Sequence, residues 1–591
     1  MKTVAVALLA PVAIFSFAAQ AQAPGERSAL PATTCDYECL TGLLQTHMDA
    51  LEAGDASALP VTGDVVFTEN NVAIPLGTGL WATIRDVDDN GLLVADETTG
   101  HAAWFGSVRE NEHAAFYAVR IHVEGRLIDE IESVVHRKTT LPAPFGDWEN
   151  MVHFEEFAEI LPEEERRPRE RMLAIADSYF DTVELNDGQV FAPFAEDCSR
   201  LENGILTTAV RPGEQQSAAA IASGCRAQFE LGLYRINKRI RRALPLVDER
   251  RGVVVASGFF DHANEFDRYL LTNGREMKTA LKWPNSITLL EAFRIRNGEI
   301  QRIEATFTYV PYFMHNPFWG ADAAFPAYAA RSEECDVSCL SRNARALMNA
   351  MVGNDWQRPD WSANPVGYAE NSVGIRIGES LWRTVTAVDE DPMVVADAHS
   401  GRAVWIGRIE EHGQPAWAAV TMNADGARIG SVDALIRRSE YGPPWAEGGS
   451  APDFPILPGA RRTDRAQMMA TSRTVLDAID ANSTAPQDAF TEDCTWTVNG
   501  QHLGDCTAPF AAGAFGAISV LRDVQLLAID EERGLAAYRT FEDYDASEDG
   551  SDSYPRSYQV LELFRFENGR IGSITSFNSE LPYGMAPLHR R

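Results

Sequence analysis

The chain carries a long internal repeat. Residues Phe67 to Trp81 read FTENNVAIPLGTGLW, and residues Tyr368 to Trp382 read YAENSVGIRIGESLW, with the Glu-Asn and Leu-Trp pairs at the same places in both copies. Solenoid and propeller repeats recur about every 20 to 50 residues, so a self-match between positions 67 and 368 indicates a duplicated set of domains. We expect one folding pattern to occur twice.

A second pair of copies lies further along the chain. VDERRG at 247–252 returns as IDEERG at 529–534, and LLEAFRIRNG at 289–298 returns as VLELFRFENG at 560–569. The order is therefore A, B, A′, B′, and 591 residues accommodate four domains of ordinary size. We predict segment A at 33–140, segment B at 170–318, segment A′ at 333–440 and segment B′ at 464–588, with linkers at 141–169 and 441–463, and we expect each A-B pair to be one folding unit.

The first residues are typical of a secretory signal peptide. Lys2 precedes the apolar run Val4 to Phe17, and small-x-small sites follow at Ala19 to Ala23. A membrane anchor is the weaker alternative, because the run is shorter than the roughly 20 residues of a spanning helix and contains Pro11. We predict a signal peptide at 1–23 and an exported protein, periplasmic or extracellular.

The net charge limits the partners. With 85 acidic and 52 basic residues the formal charge is −33. Such a chain repels phosphate backbones and anionic lipid surfaces, so we expect neither nucleic acid nor a membrane as a partner. The interactions that we expect are a small-molecule ligand and pairing of the domains within the chain.

Eight cysteines fall into four local pairs, and each pair has a counterpart in the other half. In an exported protein an even, duplicated set indicates disulfides. A zinc site is the alternative, but no histidine follows at finger-like spacing, and we predict no metal site. The predicted disulfides are Cys35 with Cys39, Cys198 with Cys225, Cys335 with Cys339, and Cys494 with Cys506.

Periodicity predicts an α+β fold. Leu40, Leu44 and Leu51 share one face of a helix that ends near Gly54, and strand-like segments follow, including one at Gly79 to Ile84. Helices followed by a run of antiparallel strands are typical of an α+β domain. In segment B the stretch FELGLYRINKRIRRAL, residues 229–244, predicts a basic amphipathic helix.

Several short motifs carry a family resemblance. ELFRFENGRI, with the preceding helices and strand-rich tail, resembles the SnoaL-like, nuclear-transport-factor-2-like superfamily. CDYECL, TENN, GLW, CSRLENG, FFDHAN and the Pro-Tyr of VPYFM resemble an exported family of bacteria and fungi that pairs two such domains, here duplicated. The resemblance implies helices packed on a curved antiparallel sheet that forms a cone, and it implies no particular reaction.

Enzymes of the wider superfamily, such as ketosteroid isomerase, scytalone dehydratase and limonene epoxide hydrolase, use a carboxylate or histidine inside the cone and usually no cofactor. A carboxylate among apolar walls has a raised pKa and can exchange protons near neutrality. The resemblance therefore implies a cofactor-free lyase, isomerase or hydrolase of a small molecule. The alternative is a non-catalytic exported binding or scaffold protein.

The candidate catalytic residues lie on two predicted strands of segment B. Asp261 and His262 end the strand VVVASGFFDH, and alternation places them on opposite faces, so only one of them can point into a given pocket. Glu291 shares a face with Leu289 and Phe293, where a carboxylate is costly unless it is paired or protonated. A buried ion pair of Glu291 with Arg235, Arg239 or Arg302 is the structural alternative.

Further polar and aromatic residues are candidates for ligand binding. In segment A, the recurring Glu-Asn pair beside a tryptophan could line a pocket or form a hairpin with a core tryptophan. In segment B, the Glu-Asn-Gly of CSRLENG also fits a simple turn. Because segment B′ has the uncharged AAGAFGAISV in place of the basic helix, we expect segment B to hold the site. The alternative is that the arginines of this helix only offset acidic neighbours on a solvated face. The candidate binding residues are Glu69, Asn70, Trp81, Glu202, Tyr234, Arg235 and Tyr312.

Overall fold

A computed structural model of the chain describes residues 35–138, 143–149, 151–209, 221–319, 335–363, 366–438, 454–545 and 554–587. The predicted signal peptide lies outside these residues. Strand is the commonest secondary structure of the described residues, helices are few, and four sheets hold six or seven strands each.

Segment A begins with a capped helix. The Asp36 side chain accepts a hydrogen bond from the Cys39 amide, and the face with Leu40, Leu44 and Leu51 is buried, so this helix forms as the sequence predicts. The helices are α1 (Tyr37–Glu52) and α2 (Leu80–Thr83). The strands are β1 (Val61–Glu69), β2 (Val72–Ala73), β3 (Ile84–Val87), β4 (Leu92–Asp96), β5 (His101–Glu110), β6 (His113–Glu124) and β7 (Leu127–Arg137).

Segment B has the same plan of helix and sheet. Its helices are α3 (Arg169–Leu185) and α4 (Cys225–Glu230). Its strands are β8 (Phe194–Glu202), β9 (Ile205–Leu206), β10 (Arg239–Asp248), β11 (Val253–His262), β12 (Arg268–Leu270), β13 (Glu276–Lys278), β14 (Asn285–Arg296) and β15 (Glu299–Val310). The six-stranded sheet runs β10-β11-β14-β15-β8-β9.

The second half repeats these elements. In segment A′ they are α5 (Val337–Val352), α6 (Leu381–Thr384), β16 (Gly367–Glu370), β17 (Val373–Gly374), β18 (Val385–Val388), β19 (Met393–Asp397), β20 (Arg402–Glu411), β21 (Gln414–Asp425) and β22 (Arg428–Arg437). In segment B′ they are α7 (Arg465–Asp480), α8 (Ala508–Ala511), β23 (Phe490–Val498), β24 (Gln501–Asp505), β25 (Val520–Asp530), β26 (Leu535–Tyr544), β27 (Arg556–Glu567) and β28 (Arg570–Leu581). Short 3-10 helices lie at Ala56–Ala58, Glu155–Phe157, Glu163–Glu165, Gly459–Arg461 and Gln487–Ala489.

Two local predictions were wrong. The basic helix expected at 229–244 does not extend past residue 238, because Arg239–Asp248 form strand β10, where pairing with β11 satisfies the backbone and buries Ile240. The stretch from Gly79 to Ile84 contains the helical turn α2 before strand β3. Short segments with mixed apolar and charged residues fit both periods, and tertiary pairing decides between them.

The large sheets are mixed, whereas the sequence predicts antiparallel ones. Strands joined by tight turns, such as β14 and β15, are antiparallel. In every large sheet, however, the first long strand pairs in parallel with the last: β1 with β7, β8 with β15, β16 with β22, and β23 with β28. No hairpin connects those two strands, so no turn fixes their direction.

The sheets of each half pack face to face. One apolar cluster joins the segment A sheet, through Val94 and Phe105, to the segment B sheet, through Val255 and Leu290. A matching cluster joins segments A′ and B′. The opposite face of the segment B sheet packs under helix α3, where Phe180 and Phe293 are buried.

The two halves also share a core. The first apolar cluster contains residues of segments A and A′ together with Tyr312 and Met314 of segment B and Leu581 and Met585 of segment B′. Glu379 of segment A′ binds Arg239 of segment B at 3.0 Å. The apolar core therefore extends across both A-B pairs, whereas the sequence predicts that each pair is one folding unit.

All eight cysteines are disulfide-bonded in the predicted pairs: Cys35–Cys39, Cys198–Cys225, Cys335–Cys339 and Cys494–Cys506. The Cα atoms of each pair lie 5.2 to 5.6 Å apart, within the usual range for a disulfide. Among the helices of the described ranges, none has the length and apolar character needed to cross a membrane.

Candidate functional site

A cavity of about 730 Å³ lies on the inner face of the segment B sheet, beneath helix α3. Strands β8, β11, β14 and β15 form its walls, and the linker residues Ala143 to Phe145 cover one side. The Gly146 amide donates to the Asn203 carbonyl at 2.9 Å and so fixes this part of the linker. A Cβ atom on Gly146 would lie 2.3 Å from the Gly204 carbonyl oxygen, so the close approach requires glycine. Most of the lining is apolar, including Val183, Phe260, Leu281, Ile287, Leu289 and Phe307.

Glu291 is the carboxyl group of this wall that is most deeply buried. Strand alternation places it beside Leu289 on the cavity face, and the residue is 2 % exposed. Its Oε2 atom has no hydrogen-bond partner among the described residues. Burial, and after it nearby Glu202, raise the pKa of Glu291, whereas Arg200 and a hydrogen bond with Tyr179 lower it, and the net pKa is about 8. Glu291 is therefore mostly protonated at pH 7.

A polar network lies beside Glu291. The buried Arg200 guanidinium donates from Nη2 to Gln228 Oε1 and to the Tyr234 hydroxyl, and its Nη1 lies 3.8 Å from Glu202. Tyr234 in turn donates to Gln228 Oε1 at 2.8 Å. One cation and one anion thus balance each other, so a neutral Glu291 leaves this end of the cavity without net charge. A charged ligand would have no counter-ion there.

His262 lines the opposite end. On β11 it pairs with Asn285, whereas Glu291 pairs with Ala256. Glu291 lies six positions after Asn285 along strand β14, about 20 Å at the usual rise per residue. Burial lowers the pKa of His262, so its imidazole is neutral at pH 7. Glu291 and His262 are too far apart to exchange a proton directly.

The structure places Asp261 on the other face of the sheet, away from the cavity. Its two carboxylate oxygens accept hydrogen bonds from Arg241 at 2.8 Å each, and Ser286 donates to it at 2.6 Å. The side chain is fully buried, with 0 % exposure. Asp261 therefore forms a buried ion pair with Arg241 and does not line the cavity.

Two other predicted binding residues of segment B lie outside the cavity. Arg235 is exposed and donates to the Leu270 carbonyl at 3.2 Å. Tyr312 is buried against segment A′ and donates to Glu379 at 3.2 Å. None of the three arginines considered as partners of Glu291 binds it: Arg239 pairs with Glu379, and Arg302 pairs with Glu156 and Asp197.

The candidates of segment A form a structural cluster. Glu69 accepts from the Leu80 amide at 2.7 Å and binds Arg137 at 3.0 Å. The Asn70 side chain exchanges two hydrogen bonds with the Val135 backbone, at 2.9 and 3.2 Å. Trp81 is 2 % exposed and packs against the His47 ring. These contacts match the hairpin with a core tryptophan, and none of the three residues lines the segment B cavity.

Sequence reasoning found Glu202, Tyr234, His262 and Glu291 but missed Arg200, Tyr179 and Gln228. Arg200 and Glu202 are two residues apart on one strand, so alternation alone would have placed both on one face. Tyr179 and Gln228 reach the site from helices α3 and α4, and no local pattern reveals that contact.

Segment B′ differs from segment B at the equivalent positions. Where segment B has Arg200 and Glu202 beside Cys198, segment B′ has Trp496 and Val498 beside Cys494. Trp496 is 2 % exposed and donates from its indole nitrogen to Ser576 Oγ at 2.9 Å. Glu562, the counterpart of Glu291, accepts from Ser576 at 2.6 Å. The carboxyl that lines a cavity in segment B is thus hydrogen-bonded beside a buried indole in segment B′.

No group of three or more histidine, cysteine, aspartate or glutamate side chains in the described part of the chain is arranged to hold a metal ion. The polar groups that line the segment B cavity are carboxyl, phenol, amide, guanidinium and imidazole groups. Their common capacity is to donate, accept or transfer protons.

A family model described as a domain of unknown function, DUF8021, matches residues 165–307 and 461–577, which fall in segments B and B′. The double match agrees with the duplication. No curated protein matches the chain significantly.

Solved structures similar to parts of the chain include proteins described as SnoaL-like or NTF2-like. An NTF2-like protein of unknown function from Cytophaga hutchinsonii shares 16% identity, covers 19% of this chain and 99% of its own, and has a TM-score of 0.15. A protein from Jannaschia sp. that is described as a SnoaL-like polyketide cyclase shares 14% identity, covers 22% of this chain and 92% of its own, and has a TM-score of 0.17. PrhC from Penicillium brasilianum shares 14% identity, covers 20% of this chain and 82% of its own, and has a TM-score of 0.16.

Proposed function

We propose that segment B binds a small, uncharged, largely apolar molecule in its cavity and acts on it by acid/base chemistry without a cofactor, as a lyase, isomerase or hydrolase. The observation that carries the proposal is Glu291: a buried carboxyl on the wall of a cavity of about 730 Å³, with one oxygen lacking a partner among the described residues. Buried carboxyls with a pKa near neutrality are suited to transfer protons.

In this proposal Glu291 is the general acid. It is protonated below its pKa of about 8 and can donate its proton to an oxygen atom of the ligand. Arg200 and Tyr234 bind each other beside Glu291, and the apolar walls keep bulk water from the carboxyl. Activity should therefore be constant below about pH 8 and fall above it, because the deprotonated carboxyl cannot act as an acid.

The fold and the compartment form part of the same proposal. We propose that the four segments are SnoaL-like domains, of which segment B is the active one. We also propose that the protein is exported, because four disulfides are typical of proteins that fold in an oxidising compartment.

The test is a screen of uncharged metabolites against the purified protein, with thermal shift for binding and mass spectrometry for conversion. We expect Glu291→Gln to keep binding and to lose conversion by about 100-fold or more, the usual contribution of a general acid. Glu562→Gln is the matched control, because it makes the same change at the equivalent position of segment B′ and should leave conversion intact.

Conversion that survives Glu291→Gln would exclude Glu291 as the catalytic residue. Binding of a metabolite by the wild-type protein with no conversion under any condition would favour the second candidate function, a non-catalytic binding protein. The network of Arg200, Gln228 and Tyr234 is the observation that supports this candidate, because these three side chains bind one another before any ligand arrives.

A further inference from the structure

We propose that the His262 end of the cavity is a subsite for a hydroxyl group, so that the ligand carries a hydrogen-bond donor, such as an alcohol or a phenol, at the end remote from Glu291. This inference rests on the proposed function, since it takes the same cavity as the ligand site. It goes further by giving His262 a specificity role and by defining the chemistry of both ends of the ligand.

The hydrogen bonds of Asn285 fix the tautomer of His262. The Asn285 side-chain nitrogen donates to the Trp283 carbonyl at 2.9 Å, which turns its oxygen toward His262. That oxygen lies 3.0 Å from His262 Nδ1. An amide oxygen only accepts, so Nδ1 must carry the proton. The neutral ring then presents Nε2 as an acceptor, and Nε2 has no hydrogen-bond partner among the described residues.

Two asparagine side chains beside His262 add further acceptors. Asn237 lines the cavity, and Asn264 lies with His262 at a small adjoining pocket of about 10 Å³, which is room for roughly one water molecule. The side-chain oxygens of both are buried and have no hydrogen-bond partner among the described residues. Buried acceptors without donors are energetically costly, so a ligand hydroxyl at this end would donate a hydrogen bond that the protein itself does not supply.

The two ends of the cavity therefore call for opposite groups. The protonated Glu291 requires an acceptor oxygen, and the His262 end requires a donor. Between them the walls are apolar, with Ile287, Leu289 and Phe307 on one side. The matching ligand is an elongated, uncharged molecule with a carbonyl or ether oxygen at one end, a hydroxyl at the other and hydrocarbon between.

Two series of compounds test this arrangement. The probes are 2-alkanones of about eight to sixteen carbons and the same ketones with a terminal hydroxyl, and their dissociation constants are measured by calorimetry on the full chain. We expect the hydroxyl to strengthen binding by roughly three- to tenfold, the worth of one hydrogen bond, and only at the chain lengths that reach from Glu291 to His262.

The variants show which residue reads the hydroxyl. His262→Phe should remove the advantage of each hydroxy ketone over the plain ketone of the same length, and a thermal melt checks that the variant is folded. Asn285→Leu should reduce the advantage, because the ring is no longer held in one tautomer. Tyr544→Phe, at the position of segment B′ equivalent to His262, is the control and should change nothing.

The outcomes separate the inference from the function beneath it. If both series bind equally at every length, or if His262→Phe keeps the length-dependent advantage, the hydroxyl subsite is wrong while the cavity remains a ligand site. If neither series binds to the wild-type protein, an apolar ligand in this cavity is contradicted, and the proposed function fails together with the subsite.

Discussion

Glu291 lies directly across the sheet from Ala305, whose methyl group offers it no hydrogen bond. In segment B′ the equivalent carboxyl, Glu562, lies directly across from Ser576, which donates a hydrogen bond of 2.6 Å. Cross-strand partners share a face of the sheet, so these two small residues decide whether the carboxyl has a donor on the neighbouring strand. The residue across the sheet, alanine or serine, is thus one of the differences between the two carboxyl sites.

Exchanging these partners should move the pKa values of the two carboxyls in opposite directions. Ala305→Ser should lower the pKa of Glu291 from about 8, because a donor stabilises the carboxylate, and Ser576→Ala should raise that of Glu562. Carboxyl titration by isotope-edited infrared spectroscopy measures both. An unchanged Glu291 pKa in Ala305→Ser would show that the serine does not reach the carboxyl.

Glu291→Gln should stabilise the protein, and the gain should grow with pH. The unfolded glutamate has a pKa near 4.3 and the folded one a pKa of about 8, so the folded state binds the extra proton between these values. The free energy of unfolding of the wild type therefore falls as pH rises from about 4.3 to about 8, by at most about 5 kcal/mol. Glutamine removes this loss.

Chemical denaturation at pH 5 and pH 8 measures the effect. Glu562→Gln should behave alike, since burial also raises the pKa of Glu562 to about 8, and it serves as the positive control. A Glu291→Gln variant whose advantage is the same at both pH values would mean that the wild-type carboxyl does not titrate in this range.

The fold was largely predictable where the pattern is local. The cysteine spacing gave the four disulfides, and the leucine spacing gave helix α1, because each depends on residues close in sequence. The parallel pairing of β8 with β15 was not predictable, since it joins strands about a hundred residues apart without a turn. The basic stretch was assigned to a helix because charged residues on a half-buried strand do not show clear alternation.

The candidate site was predictable only in part, for a similar reason. Alternation along β14 places Glu291 on the inner face, and along β11 it separates His262 from Asp261. The partners that define the site, Tyr179 and Arg200, come from another helix and another strand, and only packing brings them together. The ion pair of Asp261 with Arg241 was also not predictable from the sequence, because Arg241 lies on a neighbouring strand.

Asp261→Asn should destabilise the protein by about 3 kcal/mol without affecting ligand binding, because it leaves the Arg241 guanidinium beside a neutral group. Asp543→Asn is the matched variant, since Asp543 forms the same two-oxygen pair with Arg522, at 2.6 and 2.8 Å, and also accepts from Ser557. Thermal denaturation together with ligand titration separates the two effects. Loss of ligand binding in a stably folded Asp261→Asn variant would show that Asp261 does contribute to the ligand site.

The last prediction concerns the join between the halves. If a protease site is inserted between Phe318 and Glu333 and cleaved, we expect the two fragments to co-elute in size-exclusion chromatography, because the shared cluster with Tyr312 and Leu581 has no substitute in a separated half. Glu379→Thr should weaken this association, since it removes the contacts of Glu379 with Arg239 and Tyr312, at 3.0 and 3.2 Å. Thr78 occupies the equivalent position in segment A, so threonine is compatible with the local backbone, and Thr78→Ser serves as the control. Two fragments that elute separately and melt cooperatively on their own would show that each A-B pair is an independent folding unit after all.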